Sequence, residues 1–272
     1  MVGRSNRPGP ISHFYRLGLL WTAIKFKTFR FFSSRLPLLG SVVCARKKKD
    51  PIRAVLFDLG GTLVRTTEIP KVYKRILEAH GIKRSLREIS VAHEETEKTL
   101  DIQELATLFE EYWIRWNLQI LKRLRIRNNA KTLAQTIAEQ WWDYSEIRLY
   151  PDVMGTLKQL RDMGLKIGLI TNGLESDYRE ILRKTGLSNF FDVTVGIDTV
   201  GKMKPHEDIF LYAVKRLGVL PTETLFVGDR LKEDYKGSRK AGLRPLLIDR
   251  DDIIHSEVEK ISDLREIMNH IA

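Results

Sequence analysis

The 272-residue chain has a single cysteine, Cys44. That count excludes an internal disulfide framework and leaves no cysteine cluster to hold zinc, so a reducing, cytoplasmic setting is expected. Acidic residues are missing altogether from positions 1–49. Eleven basic ones gather there (Arg4, Arg7, Arg16, Lys25, Lys27, Arg30, Arg35, Arg46, Lys47, Lys48, Lys49). Of 46 Lys and Arg in the chain, the remaining 35 balance 35 Asp and Glu, so the formal charge of +11 belongs to the N-terminal segment alone. The body after it is formally neutral and has no overall basic character to draw it to nucleic acid. Its length suffices for one full core and one additional small domain.

Residues 1–49 also carry Phe14, Leu17, Leu19, Leu20, Trp21, Ile24, Phe26, Phe29, Phe31 and Phe32. Basic residues interrupt these too often for a membrane span, and apolar residues surround most of the helical wheel, so amphipathicity is poor. An uninterrupted apolar core and a small-residue cleavage site, the marks of a secretory signal, are lacking. Three readings stay open. The segment is a disordered extension, including one arising from a start codon placed too far upstream; or it makes weak peripheral contact with a membrane surface through its aromatic and basic residues; or it is a targeting leader or nucleic-acid arm.

The body opens differently. Ala54-Val55-Leu56-Phe57 stops abruptly in Asp58-Leu59-Gly60-Gly61-Thr62, the pattern of a buried strand ending in a tight loop. In an open α/β sheet such a loop lies at the carboxyl edge, where ligands bind. Three further segments repeat the arrangement. Lys166–Ile170 leads into Thr171-Asn172-Gly173, Thr224–Val227 leads into Gly228-Asp229 with Asp234 five residues on, and between them lies Gly201-Lys202-Met203-Lys204-Pro205-His206-Glu207-Asp208.

Candidate strands at 53–59, 166–172, 191–196, 224–229 and 245–249 alternate with helical stretches at 153–163, 177–185, 207–217 and 234–241. Alternation of this kind specifies right-handed βαβ units on a parallel sheet. Each of the four helices stops at a Gly followed by an apolar residue (Gly164-Leu165, Gly186-Leu187, Gly218-Val219, Gly242-Leu243), the sign of a left-handed helix cap. Residues 66–149 break the alternation: they hold no convincing strand and four of the five Trp. The i, i+3 spacing of Trp113 and Trp116 favours the core of a small helical bundle over the lining of a substrate pocket.

A nucleophilic Asp, a Thr, a Lys and an Asp pair, in that order at strand ends and loops, resemble the four motifs of the haloacid dehalogenase-like (HAD) hydrolases. The resemblance covers roughly residues 52 to 250. It implies an α/β fold, a Rossmann-like parallel sheet formed by residues 50–65 and 150–272, with a helical cap, residues 66–149, inserted after the first strand. For function it implies a Mg²⁺-dependent phosphatase acting on a small phosphorylated metabolite through an aspartyl-phosphate. Asp58 would be the nucleophile. Gly61, Thr171, the amide of Asn172 and Lys204 would bind the phosphoryl group, Lys204 being preferred over Lys202 for its place before Pro205. Asp58, the Gly60 carbonyl, Asp229 and Asp234 would hold the metal.

One departure stands out. Phosphatases of this family usually carry a second Asp two residues after the nucleophile, as general acid and base; here that residue is Gly60. Its absence should slow cleavage of esters with poor leaving groups. It also admits two alternatives: a haloacid dehalogenase or phosphonatase using the same Asp58, with Lys71, Lys74 and Lys98 available for a phosphonatase Schiff base, or a non-catalytic binding protein. His80, His93 and His206 are isolated in sequence and read as surface or helix-terminal residues before replacement acids. Arg65 could meet an anionic substrate at the cap hinge or be a solvated linker charge.

Overall fold

A computed structural model describes residues 50–99 and 101–271. Positions 1–49, and with them the expected extension and its membrane contact, lie outside the described residues.

The strands and helices follow one another as β1 (Ala54–Phe57), β2 (Val64–Thr66), α1 (Ile69–Ala79), α2 (Leu86–Glu97), α3 (Leu105–Leu108), α4 (Glu110–Arg123), α5 (Ala130–Tyr144), β3 (Ile147–Leu149), α6 (Val153–Asp162), β4 (Lys166–Ile170), α7 (Glu175–Thr185), β5 (Val193–Val195), α8 (Ile197–Val200), α9 (Glu207–Leu217), β6 (Thr224–Gly228), α10 (Gly237–Lys240), β7 (Arg244–Ile248), β8 (Lys260–Ile261) and α11 (Met268–Ile271). Six strands form a sheet in the order β5-β4-β1-β6-β7-β8, every pair parallel. The chain runs outward from β1 to β5 on one side, then returns to β6 on the other. That reversal makes the carboxyl ends of β1, β4 and β6 a topological switch point of an α/β, Rossmann-like fold.

Strand β1 is wholly apolar because both its faces are covered. Val55 and Phe57 face a cluster with Leu157 and Leu160 of α6 and Ile181 of α7, while Ala54 and Leu56 face one with Ile209, Phe210 and Ala213 of α9. Helix ends follow the local chemistry. Ser85 and Glu88 form a reciprocal capping box on α2. Helix α9 carries Glu207 and Asp208 in its first turn and Lys215 and Arg216 in its last. It ends on Gly218 at φ 65°, with Val219 folded back so that its amide reaches the Val214 carbonyl.

Helices α1 to α5 form an insert with its own apolar core, including Val72, Tyr73, Ile76, Tyr112, Trp116, Ile120 and Ile137. Leu174 and Met203, from loops at the carboxyl edge of the sheet, and Ile197, which opens α8, are buried in that same cluster. The expectation of no strand in 66–149 needs correction: β3 lies inside that span, and pairs antiparallel with β2 where the insert leaves and re-enters the sheet domain. At three residues each, neither strand has enough length for an alternating pattern to be seen. The helix expected from Asp234 starts earlier, as a π-helical turn over Leu231–Lys236, and β8 was not expected at all. Trp116 is core as expected, and half-buried Trp113 packs against the same core while also lining a cavity of about 510 Å³ with Trp142 and Leu174.

Two glycines test the packing in opposite directions. A Cβ on Gly168 in β4 would lie 2.4 Å from Leu56 Cδ2 and 2.7 Å from Val193 Cγ1, so Gly168→Ala should lower stability by about 1–3 kcal/mol. Gly155, inside α6, has nothing within 4 Å of that position, and Gly155→Ala should raise stability by about 0.5–1 kcal/mol. Urea unfolding of both variants checks the pair, and equal shifts would contradict the packing described.

Candidate active site

The site is built where three strands end. Phe57 pairs with Leu169 of β4 and Val227 of β6, so Asp58, Thr171 and Asp229 emerge side by side just beyond the paired registers. Asp58, Thr171, Lys204 and Asp234 are all buried. The sequence places these residues up to 176 positions apart by number, and the sheet brings them together.

Lys204 is the centre of the charge arrangement. Its Nζ donates to Asp58 Oδ1 at 2.5 Å, to Asp234 Oδ1 at 2.7 Å and to the Ile170 carbonyl at 3.2 Å. The ammonium also sits 5.6 Å from the Phe226 ring centroid. Burial by itself would depress the Lys204 pKa, but Asp234 and Asp58 outweigh it and push the value up. Lys204 is therefore a fixed positive charge. Lys202, the competing lysine, is exposed.

Asn172 sets the loop that carries Lys204. Its Nδ2 donates to the Lys204 carbonyl at 3.1 Å and its Oδ1 accepts the Lys204 amide at 2.7 Å, a two-way bond between loops 32 residues apart. Thr171 Oγ1 accepts from the Gly173 amide at 3.2 Å, so its hydroxyl proton remains to be donated elsewhere. The Gly61 amide donates to the Val64 carbonyl at 2.9 Å. What Gly61 supplies is space: at φ 82° it has no Cβ, and one built there would fall 2.3 Å from Asp229 Oδ2.

Carboxylate oxygens of Asp58, Asp229 and Asp234 lie within 4.8 Å of one another. The pKa values of Asp58 and Asp229 reflect burial and that crowding. Burial raises Asp58, opposed by Lys204 and reinforced by Asp234. Burial also raises Asp229, with the charges of Asp58 and Asp234 adding to push it up to about 7. Asp229 Oδ1 is buried without a hydrogen-bond partner among the described residues. An orphaned buried carboxylate oxygen beside two more carboxylates is short of a cation. When all three are ionised, one ammonium leaves two negative charges over, and the donors are all hard oxygen.

Several contributors were missed by sequence reasoning. Thr62 donates its hydroxyl to Asp58 Oδ2 at 3.2 Å, a contact that the four-residue spacing within a tight turn could have suggested. The Arg230 amide donates to Asp234 Oδ2 at 2.9 Å, closing the π-helical turn. Gly228 has a Cβ position only 2.4 Å from Asp234 Cγ, so a side chain there would displace the carboxylate. Gly60, in contrast, is exposed, with nothing within 4 Å of its Cβ position.

None of the histidines considered as replacement acids is committed to Asp58. His80 shares a hydrogen bond with Gln140, His206 caps α9 by accepting the Asp208 amide, and His93 packs against Trp116. Lys71 and Lys74 pair with Glu68 and Glu78 on the surface of α1, and Lys98 is exposed at the end of α2. Arg65 is exposed on β2 opposite Arg148.

Comparison with known proteins agrees with this geometry. The family described as haloacid dehalogenase-like hydrolase matches residues 52–242. Glyceraldehyde 3-phosphate phosphatase of Methanopyrus kandleri is 31% identical over 233 residues, covering 81% of this chain and 99% of that protein. Phosphoglycolate phosphatase of Shigella boydii is 31% identical over 210 residues, 72% of this chain and 80% of that protein. Among solved structures, a HAD phosphatase from Thermococcus onnurineus superposes with a TM-score of 0.59 at 29% identity, over 81% of this chain and 98% of its own. A strand-end aspartate bonded to a buried lysine, a sheet with its switch point at that aspartate, and a match across most of the body lead to one assignment: the chain belongs to the haloacid dehalogenase-like hydrolases.

Proposed function

We propose that the protein is a phosphatase for small phosphorylated metabolites, with Asp58 as the nucleophile and Mg²⁺ as cofactor. The observation that carries the reading is the orphaned Asp229 oxygen among three carboxylates around one lysine. Carbon–halogen hydrolysis through Asp58 would have no use for that second pair of carboxylates. The relatives named as phosphatases support the same side.

Asp58, Asp229, the Gly60 carbonyl and Asp234 would hold the ion. Both Asp234 oxygens already accept hydrogen bonds, from Lys204 and from the Arg230 amide, so its part is chiefly to balance charge and aim the lysine. Bound Mg²⁺ would neutralise the carboxylates and the non-bridging phosphoryl oxygens. Lys204 and the free proton of the Thr171 hydroxyl, with the Asn172 amide, then face the developing charge on the phosphoryl group. An Asp58 oxygen attacks phosphorus, the ester P–O bond breaks, and the leaving oxygen takes its proton from solvent because Gly60 supplies none. Water next attacks phosphorus of the aspartyl-phosphate, releasing inorganic phosphate and restoring the Asp58 carboxylate. The helical insert acts as a cap: its apolar core already encloses Leu174, Ile197 and Met203 at the edge of the site, which would exclude water during transfer.

Asp58→Asn should remove hydrolysis of para-nitrophenyl phosphate while leaving the protein folded, because the change is nearly isosteric and the amide oxygen can still accept from Lys204. Activity above a small fraction of wild type in the purified variant would contradict the assignment.

The acid-base state of the site gives a second expectation. Asp229 is raised to about 7 from an ordinary 3.8, so without metal its protonated form favours the fold. That stability is fully present near pH 4 and is lost as pH rises through 7. Mg²⁺ requires the ionised carboxylate, and saturation at about 100 times its Kd adds about 2.7 kcal/mol. The gap between melting temperatures with and without Mg²⁺ should therefore widen from pH 5.5 to pH 8. A gap that stays constant would exclude metal binding at Asp229.

The open space at Gly60 generates a third. Gly60→Asp meets no steric obstacle, and a general acid contributes about 10²–10⁴-fold. Turnover of an alkyl phosphate, whose alkoxide needs a proton, should rise more than turnover of para-nitrophenyl phosphate, with Mg²⁺ saturating for both proteins. Equal wild-type rates on the two esters would show that another group already supplies the proton.

A further inference from the structure

The insert is rooted in the sheet domain at two places, the loop before β2 and the segment after β3, and one side chain grips both. Arg250 follows β7 at the carboxyl edge of the sheet. Its Nη1 donates to Asp152 Oδ2 at 2.9 Å, and its Nη2 donates to Asp152 Oδ1 at 3.2 Å and to the Thr62 carbonyl at 2.7 Å. The guanidinium lies 3.7 Å from the centroid of the Tyr150 ring. Asp152 is buried and also accepts the Leu264 amide at 2.7 Å. Between these contacts the Tyr150 amide donates to the Leu63 carbonyl at 3.2 Å. Thr62 and Asp152 thus bracket the β2–β3 pair, and the planar fork of one arginine holds them at a fixed separation.

The same grip reaches the nucleophile. Thr62 gives its carbonyl to Arg250 and its hydroxyl to Asp58 Oδ2, while Lys204 holds Asp58 Oδ1. We infer that Arg250 is a positioning residue: paired with Asp152, it clasps the root of the helical insert and presents the Thr62 hydroxyl to Asp58. The hydrogen bonds of Arg250 go to Asp152 and the Thr62 carbonyl, so it reaches Asp58 through Thr62. The Arg250 Nε is buried without a hydrogen-bond partner among the described residues. The structural half of this inference stands on the hydrogen bonds; the catalytic half rests on the phosphatase reading.

The two halves are tested separately on the full chain. Lysine keeps the charge but cannot present two parallel N–H groups, so Arg250→Lys should open the clasp. Hydrogen–deuterium exchange should quicken in peptides covering 59–66 and 147–152 and stay unchanged in β4. Unchanged exchange at the root, or acceleration everywhere alike, overturns the clasp whether or not the enzyme turns over phosphate esters. If Arg250→Lys fails to fold, Asp152→Asn, which keeps an acceptor for Leu264, carries the same exchange test. With para-nitrophenyl phosphate and Mg²⁺, Arg250→Lys should lower kcat about 10- to 100-fold with KM held within about twofold. In a Thr62→Val background it should lower kcat no further, because the hydroxyl it positions is gone. Independent, multiplying losses in the double variant overturn the relay. Absence of turnover in the wild type would instead sink the phosphatase reading and leave the exchange result to decide the clasp.

Discussion

A single buried ammonium organises the site. Lys204 is bonded at once to the aspartate that ends β1, the aspartate of the π-helical turn after β6, and the carbonyl that ends β4. Ions buried in this way are expensive to desolvate, and removing one partner of such a set costs about 3–5 kcal/mol by stranding the other charges. The sheet order follows from the same need, since only neighbouring β4, β1 and β6 deliver all three acceptors to one point. Glycine at 61 and 228 is dictated by it too: a Cβ at either position would occupy the place of a carboxylate.

The arrangement is complete in one respect and unfinished in another. Asp58 and Asp234 have partners for both oxygens, through Lys204, Thr62 and the Arg230 amide. Asp229 has an oxygen with none among the described residues, and burial, reinforced by the charge of its neighbours, holds its proton to about pH 7. A polar group kept buried and unsatisfied is uncommon unless a function uses it. Reading that group as a metal ligand accounts for the burial and the raised pKa together.

Much of this was legible in the sequence. Asp58, Thr171, Lys204, Asp229 and Asp234 each follow a short apolar run or a Gly-containing loop, and the strand–helix alternation places all of them on one edge. The glycine stops were legible because a left-handed cap needs little more than the glycine and the apolar residue after it. The contacts that cross the fold were not. Arg250, Asp152 and Thr62 share no local pattern, the first two lying 98 positions apart, and only the folded sheet makes them neighbours. Strands β2, β3 and β8 have two or three residues each, too few for periodicity. The i, i+3 spacing of Trp113 and Trp116 fixed their shared face but not the division between them, since a helix of the insert meets both its own core and the α7 side of the sheet domain.

The central claim is a covalent one, that phosphorus passes through Asp58. The most direct measurement is an acid quench during turnover of para-nitrophenyl phosphate with Mg²⁺, followed by borohydride reduction and peptide mass spectrometry, which converts an acyl phosphate on aspartate to homoserine. The account predicts homoserine at position 58 and nowhere else, and none when substrate is left out. Turnover with no homoserine at 58, or with homoserine at 229 or 234, would contradict it.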